Sequence, residues 1–192
     1  MSGPSTAGRI ADAALGILVS EGAAAVSMRR VAGLAGVSPM AAYKHFPSRQ
    51  ALLDVVAERA FRELAEGWGT RAPGGTWEER AFGLLADFLD FALGRPHLYT
   101  FLMTDHRERA RRFPADFEDG GSPFTKLVTL AEEGMRDGVL RPDDPLETTL
   151  ALTSAVQGLV QLYLAGRVGL EEDDFRKLCE RTVRRVLDGV RT

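Results

Sequence analysis

Apolar residues recur three and four positions apart along nearly the whole chain, and the alternation of apolar and polar residues typical of strands is almost absent. Ile10, Ala14 and Leu18 form one such stripe, and Leu85 and Leu89 belong to another. Side chains at this spacing share one face of an α-helix. With 45 % hydrophobic residues among 192, the chain can bury a substantial core. The pattern therefore predicts an all-α fold of about nine helices.

Signals for helix starts and stops divide the chain into segments. Ser27 and Ser38 stand at positions typical of N-caps, and Gly36 stands where a helix would end. The predicted helices cover about residues 5–20, 28–35, 39–46, 49–68, 76–93, a stretch beginning near 96, 122–137, 145–166 and 171–189. Residues 70–75 are predicted to be a loop, and the very polar segment 105–121 a loop containing a helical turn.

The charges are distributed unevenly, although the net charge of the chain is only −3. Residues 1–51 contain five basic and two acidic residues, so this segment carries +3 and the remainder carries −6. A basic segment on an acidic body favours contact with a polyanion. The charge distribution therefore favours the N-terminal third as the part of the chain that contacts a polyanion.

The composition excludes several classes of protein. Cys179 is the single cysteine, which excludes an internal disulfide and is typical of a reducing compartment. No apolar run approaches the ~20 residues of a membrane span, and no apolar signal-peptide core follows the first residues. We therefore expect a cytoplasmic protein that has no membrane partner.

The residues that carry chemistry form no catalytic or metal-binding pattern. The three histidines, His45, His97 and His106, show no ligand spacing with one another or with Cys179. The sequence also has no evident nucleophile–base pair and no glycine-rich phosphate loop. It therefore predicts neither an enzyme nor a bound metal or cofactor.

The second and third predicted helices form a helix-turn-helix pattern. Gly36 suits the turn because a tight break after a helix favours positive φ, and Val37 is expected to be buried between the two helices. On the third helix, Ala42 and Phe46 lie four residues apart and can pack inward. A helix this short is marginal alone, so that packed face must hold it in place.

The other face of the third helix carries Met40, Tyr43 and Lys44, again three and four positions apart. An α-helix fits the major groove of DNA, so Lys44 could bind a phosphate or guanine, and Tyr43 a phosphate or a thymine methyl group. The same residues could instead form an ordinary amphipathic surface. A helix-turn-helix pattern alone does not decide between the two interpretations.

Further candidates for DNA contacts lie near helix N-termini, where backbone N–H groups favour phosphate. Ser27, Arg29 and Arg49 occupy such positions, and His45 is either a phosphate contact or a packing residue. The complete set of predicted DNA-binding residues is Ser27, Arg29, Ser38, Pro39, Met40, Tyr43, Lys44, His45 and Arg49.

The segment RIADAALGILVSEGAAAVSMRRVAGLAGVSPMAAYKHFPSRQALL, Arg9 to Leu53, resembles the TetR family of transcriptional regulators. The matching features are Gly22 after helix one, Ser27 and Arg29 at the start of helix two, the turn 35–38, the Tyr-x-x-Phe ending at Tyr43 and Phe46, and Ser48-Arg49. The chain departs from the family pattern at Met40, where Gly or a small polar residue is common, and at Ala42, where Leu is common. The resemblance implies a three-helix DNA-binding domain, 1–51, and a larger helical effector-binding and dimerisation domain, 52–192.

The last two predicted helices suggest a dimer interface. Helix eight mixes large apolar residues with small ones that let two helix backbones approach closely, and helix nine has a broad apolar face. These faces could pair within one chain, but the resemblance implies a four-helix interface between two subunits. The candidate interface residues are Ala151, Ala155, Gly158, Leu162, Phe175, Leu178, Thr182 and Val186. Cys179 is expected to be an interface or core thiol with a raised pKa rather than a redox sensor.

Helices five to eight contain an excess of large apolar residues with a few polar ones among them. This composition is typical of an ordinary core and also of a small-molecule cavity, and the resemblance favours a cavity for a largely apolar effector of unknown identity. The candidate pocket residues are Trp68, Phe88, His97, Phe101, Leu102, Gln157 and Gln161.

These expectations describe a homodimeric regulator that a small ligand releases from a palindromic operator in double-stranded DNA, most simply a repressor. A ligand-dependent activator or corepressor would have the same fold, and the sign of regulation stays open. Two alternatives belong to other classes: a helical small-molecule-binding protein or enzyme without a DNA function, and a helical adaptor whose basic end binds an acidic protein.

Overall fold

The computed structural model of the chain describes residues 5–105 and 123–191, and within these ranges it contains nine α-helices and no β-strand. The helices are α1 (Thr6–Glu21), α2 (Met28–Leu34), α3 (Pro39–His45), α4 (Arg49–Gly67), α5 (Trp77–Gly94), α6 (Pro96–Tyr99), α7 (Pro123–Arg136), α8 (Pro145–Leu164) and α9 (Glu172–Val190). A 3₁₀ turn precedes α2, and a π-helical segment, Thr100–Thr104, follows α6. The predicted all-α fold class is confirmed. The predicted polar loop 105–121 lies outside the described residues, except for Asp105.

Local signals in the sequence account for the ends of α1. The Oγ atom of Ser5 accepts a hydrogen bond from the N–H of Gly8 at 3.1 Å, which satisfies one of the free donors at the start of a helix. At the other end, Gly22 has φ 86° and its N–H donates to the carbonyl of Leu18. A residue with a Cβ would be strained at that φ, so glycine ends the helix at this point.

The described residues divide into two compact units, and the division along the chain falls inside α4, between Glu63 and Leu64. The first unit contains the residues up to Glu63 together with 95–105. In this unit α1 contacts α2, α3 and α6. Its buried core includes Ile10, Ala14, Leu18, Val31, Ala42, Leu52, Val56, Leu98 and Tyr99.

The second unit contains residues 64–94 and the described residues from 123 onward. In this unit α8 contacts both α7 and α9, and α5 contacts the same two helices. Its buried core includes Leu84, Leu89, Phe91, Leu130, Leu140, Val156, Val160, Phe175, Cys179, Val183 and Leu187. The functional boundary predicted after residue 51 concerns activities rather than packing, and it stays a prediction.

None of the helices in the described ranges is both long enough and apolar enough to span a membrane. In the same ranges, no group of three or more His, Cys, Asp or Glu side chains is arranged to hold a metal ion.

Candidate nucleic-acid interface

The turn between α2 and α3 is held by backbone hydrogen bonds and one left-handed residue. Gly36 has φ 68°, where a side chain would be strained. The N–H of Ala35 donates to the carbonyl of Val31 at 2.9 Å, and the N–H of Val37 donates to the carbonyl of Ala32 at 3.0 Å. The side chain of Val37 is half-buried rather than fully buried as predicted. These bonds close the helix-turn-helix.

Short-range signals begin and end α3. The Oγ atom of Ser38 accepts the N–H of Ala41 at 3.1 Å, and Pro39 occupies the first turn, where its missing N–H is not needed. Phe46 has extended backbone, with φ −131° and ψ 104°, and its N–H still donates to the carbonyl of Ala42. Ala42 is completely buried and Phe46 is nearly so. The helix is therefore anchored through one face, as predicted.

The other face of α3 is presented to solvent. Met40 is 70 % exposed and Tyr43 is 50 % exposed, and Lys44 is also exposed. No ion pair joins Lys44 to an acidic residue within the described part of the chain. A face with an apolar, an aromatic and a cationic side chain, on a helix whose opposite side is fixed, suits the major groove.

Two adjacent arginines at the start of α2 have different environments. The guanidinium group of Arg30 pairs with the carboxylate of Glu21, with one N–O distance of 2.8 Å. The hydrogen bond from Arg30 lowers the pKa of Glu21. Arg29 is exposed, and no described acidic residue pairs with it. Of the two charges, that of Arg29 is therefore the one available for an external anion.

Ser27 and Arg49 both have contacts within the chain. The Oγ atom of Ser27 accepts the N–H of Arg30 at 3.3 Å and caps α2, which leaves its O–H free to donate to another group. Arg49 at the start of α4 donates through Nε to the carbonyl of Val26 at 2.8 Å and through a second nitrogen to the carbonyl of Ala23. Arg49 thus ties α4 to the segment before α2, and its remaining N–H groups are those that could meet a phosphate.

All nine predicted DNA-binding residues are exposed, and all lie in the first unit. They lie on α2, α3 and the first turn of α4, or immediately before these helices, so the fold brings together what the sequence analysis grouped. His45 is exposed at the last position of α3, beside Lys44.

Two protein-family models match the chain. Residues 82–186, more than half of the chain, match the model of the tetracyclin repressor-like C-terminal domain. The chain belongs to the TetR family of transcriptional regulators. Residues 10–56, which include the helix-turn-helix, match the model of bacterial regulatory proteins of the tetR family. The predicted family is confirmed, and none of the curated proteins is similar enough in sequence to count as a match.

Solved structures of similar proteins support the fold over the whole chain. A protein of unknown function from Rhodococcus sp. RHA1 is 24 % identical, with a TM-score of 0.79 over 98 % of this chain and 96 % of that one. The fatty acid degradation regulator FadR from Bacillus halodurans is 16 % identical, with a TM-score of 0.73 over 97 % and 96 %. The flavonoid-responsive regulator FrrA is 23 % identical, with a TM-score of 0.67 over 97 % of each chain.

The predicted effector-pocket residues of this TetR-family chain are divided between the two units, and their grouping into one pocket stays a prediction. Trp68, Phe88 and Gln157 belong to the second unit, and His97 with the pair Phe101 and Leu102 to the first. The exposed ring of His97 lies beside Gly22, the glycine that ends α1. A Cβ atom added to Gly22 would be 3.4 Å from the Nδ1 atom of His97. Gln161 is exposed on α8. Helical periodicity groups residues on one helix and does not show which neighbour that helix meets.

Trp68 and Phe88 do form a cluster, and its third member, Phe91, was not predicted from the sequence. The ring of Trp68 lies 6.1 Å from that of Phe88, edge to face, and 6.4 Å from that of Phe91. Trp68 is buried and Phe88 half-buried. Phe91 lies three residues after Phe88 on α5, so the i, i+3 spacing of aromatic residues was the signal that could have identified it.

Polar contacts from two helices hold the backbone around Trp68, and these residues were also missed. The buried carboxylate of Asp87 on α5 accepts the N–H of Gly69 at 2.8 Å and is paired with Arg71. The ammonium group of Lys126 on α7 donates to the carbonyl of Trp68. An acidic residue inside the apolar stripe of α5 was the signal, because a buried carboxylate requires a partner.

The predicted dimer-interface residues fall into three groups by burial. Phe175 is completely buried and its ring stacks on that of Tyr163, with centroids 4.0 Å apart, so it belongs to the core of the single chain. Ala151, Gly158 and Leu162 are exposed on α8. The others, half-buried on α8 and α9, are Ala155, Leu178, Thr182 and Val186. Seven of the eight candidates thus keep some surface for a partner.

Cys179 lies among the buried side chains of α9. It is completely inaccessible to solvent, and burial raises the pKa of its thiol to about 11. A thiol with that pKa stays protonated and unreactive near neutral pH. Of the two predicted positions, interface and core, the structure shows the core of the single chain, and the predicted rise of the pKa is confirmed.

Proposed function

We propose that this TetR-family chain is a cytoplasmic, sequence-specific repressor that binds a palindromic operator as a homodimer and leaves it when a small, largely apolar ligand binds. The observation that carries the proposal is the fixed helix α3, whose buried face of Ala42 and Phe46 leaves Met40, Tyr43 and Lys44 exposed. The match of residues 10–56 to a family of regulatory proteins supports a DNA partner for that face.

A homodimer is part of the proposal because one short helix reads few base pairs. Two copies related by a twofold axis would read a pseudo-palindrome, with the two α3 helices near one helical turn of DNA apart or a multiple of it. The exposed small and apolar residues of α8 support the pairing of two chains, because such faces are the usual contact between subunits.

The ligand is proposed to act by shifting the equilibrium between two conformations of the dimer. If it binds more tightly to a form of the dimer in which the two α3 helices do not match the operator, it weakens DNA binding by that difference in affinity. The aromatic cluster of Trp68, Phe88 and Phe91 at the end of α4 supports an apolar ligand. Two similar structures are named as a flavonoid-responsive regulator and a fatty acid degradation regulator, which points in the same direction.

Fluorescence anisotropy on duplex DNA from upstream of the chain's own gene tests the DNA function. We expect saturable binding to a pseudo-palindromic segment. The logarithm of the binding constant should fall linearly with the logarithm of the salt concentration, because Lys44 and Arg29 displace counterions from phosphates. Scrambled duplexes of the same composition should bind much more weakly at moderate salt. Equal affinity for operator and scrambled DNA would remove the proposal.

A double variant tests the assignment of α3. Tyr43→Ala with Lys44→Ala should weaken operator binding at least about 100-fold, because each half-site loses two contacts. Both residues are exposed, so the variant should remain folded and keep its oligomeric state in sedimentation velocity. Arg136→Ala on α7 removes an exposed charge from the other unit and is the control that should bind normally. Unchanged operator affinity in the double variant would contradict the assignment.

The sign of regulation is tested in cells. A reporter fused to the bound promoter should become more active when the gene is deleted, and the Tyr43→Ala, Lys44→Ala variant should fail to restore the low level. A fall in reporter activity on deletion would mean that the chain activates transcription.

A further inference from the structure

The exposed surface of α3 is divided by chemistry along the length of the helix. Its first turn carries Pro39, Met40 and Ala41, which have no charged or hydroxyl group, whereas Tyr43, Lys44 and His45 follow in the second. The one polar side chain at the start, that of Ser38, accepts the N–H of Ala41. Apart from the hydroxyl of Ser38, whose O–H can still donate, the hydrogen-bonding and charged groups are therefore concentrated in the second turn, and the first turn itself offers apolar contact.

Met40 is the large apolar side chain of that first turn. At 70 % exposure it is the most exposed large hydrophobic side chain in the described part of the chain. It does not anchor α3, since Ala42 and Phe46 do so from another face. The Ser38 cap and the turn fix the backbone at Met40, and only its unbranched side chain can adapt.

The chemistry of methionine limits what Met40 can recognise in a major groove. Its thioether is a weak acceptor and has no donor, so it cannot form the strong hydrogen bonds that distinguish the polar edges of the bases. The apolar group that the major groove displays is the C5-methyl group of thymine. Contact between that methyl group and Met40 would remove apolar surface from water on both sides.

We propose that Met40 is a specificity-determining residue that reads a thymine methyl group at one position of each operator half-site. The inference rests on the proposed DNA-binding function and adds the chemical group that is recognised. Lys44 and Tyr43 provide affinity and orientation in this arrangement, and Met40 discriminates thymine from the other bases by apolar contact rather than by hydrogen bonding.

The experiment removes the methyl group from the DNA and the thioether from the protein separately. Duplexes selected from a random pool by the full-length chain define the operator, and each thymine is then replaced in turn by deoxyuridine, which lacks the methyl group and pairs identically. For one thymine per half-site, the replacement should weaken binding of the unmodified protein about fourfold, the value of one buried methyl group.

Met40→Ala should bind the thymine operator more weakly and should lose its sensitivity to deoxyuridine at that one position. The matched control is Leu34→Ala, since Leu34 is 64 % exposed on α2 in the same helix-turn-helix. It should keep the deoxyuridine effect at full size. Thermal unfolding should be unchanged in both variants, because neither side chain is buried.

The possible failures are distinguishable. If deoxyuridine weakens binding equally in the unmodified protein and in Met40→Ala at every position, the role of Met40 is overturned and the DNA-binding function stands. If selection enriches no sequence at all, the proposed function fails, and the inference fails with it.

Discussion

Gly134 on α7 lies against the ring of Trp77, the first residue of α5. A Cβ atom at this position would be 2.6 Å from the Nε1 atom and 2.9 Å from the Cε2 atom of the indole. The ring cannot simply move away, because its N–H donates to the carbonyl of Leu130 at 2.7 Å. Glycine is required here by the close approach of two elements and not by its own backbone conformation, which is helical.

Gly134→Ala should therefore lower the free energy of unfolding by about 1–3 kcal/mol, the usual cost of overpacking, despite the better helix propensity of alanine. Gly16→Ala in α1 is the matched control, since no atom would lie within 4 Å of its Cβ. That change should stabilise the protein by up to about 1 kcal/mol. Urea unfolding followed by circular dichroism measures the free energy of unfolding of both variants. If the two variants are equally stable, the contact with Trp77 does not determine the residue.

Ion pairs connect α5 to α9 and to the loop after α4. The carboxylate of Asp90 pairs with Arg71 in the loop and with Arg176 on α9, where the Oδ1–Nη1 distance is 2.7 Å. Burial alone would raise the pKa of Asp90, but the hydrogen bond from Arg176 and the charges of both arginines outweigh it and lower the pKa. The ionised carboxylate is therefore the form that stabilises the folded chain.

Asp90→Asn should lower the melting temperature at pH 7, and the difference from the unmodified protein should shrink in acid. The folded-state pKa is depressed, so the stabilisation is fully present above the ordinary carboxyl pKa of about 4 and is lost as the pH falls through the lower, folded value. Melting curves between pH 7 and pH 3 measure this. Asp188→Asn is the control, because its carboxylate is 3.9 Å from the nearest nitrogen of Arg191. A difference that does not change with pH would contradict the role of Asp90.

The elements also show which features of the structure could be predicted from the sequence. Helix ends were predictable because caps act over three or four residues: Ser38 bonds to Ala41, and Gly36 adopts the positive φ that its place after a helix requires. The exposed face of α3 followed from spacing within one short helix. Such signals are local, so neither needed knowledge of the packing between helices.

Contacts between residues far apart in the chain could not be predicted in this way. The pairing of Asp87 with Gly69 and Arg71 depends on how α5 meets the loop after α4. On α9, a broad apolar face gave no means of separating Phe175, which is buried in the single chain, from Val186, which keeps part of its surface. A helix covered on more than one side loses the simple relation between spacing and exposure.

Small and apolar residues of α8 form an exposed surface along one side of that helix. Gly158 is exposed, and no atom of the described residues would lie within 4 Å of a Cβ at this position. Leu162, one turn later, is 43 % exposed. Ala151 continues the same exposed surface toward the start of the helix. A surface of small and apolar residues lets another backbone approach closely, and the proposed twofold dimer would bury it.

Gly158→Arg tests the dimer directly. The position is exposed and has open space for a Cβ among the described residues, so the protein should fold with an unchanged circular dichroism spectrum. Two unpaired charges would enter the interface of each dimer, which should raise the dissociation constant of the dimer at least about 100-fold. Sedimentation velocity should then show a monomer, and operator binding should weaken because each half-site is read independently. Gly16→Arg is the same substitution at another open helical glycine, and that variant should stay dimeric. A Gly158→Arg protein that sediments as a dimer would place the interface on another surface.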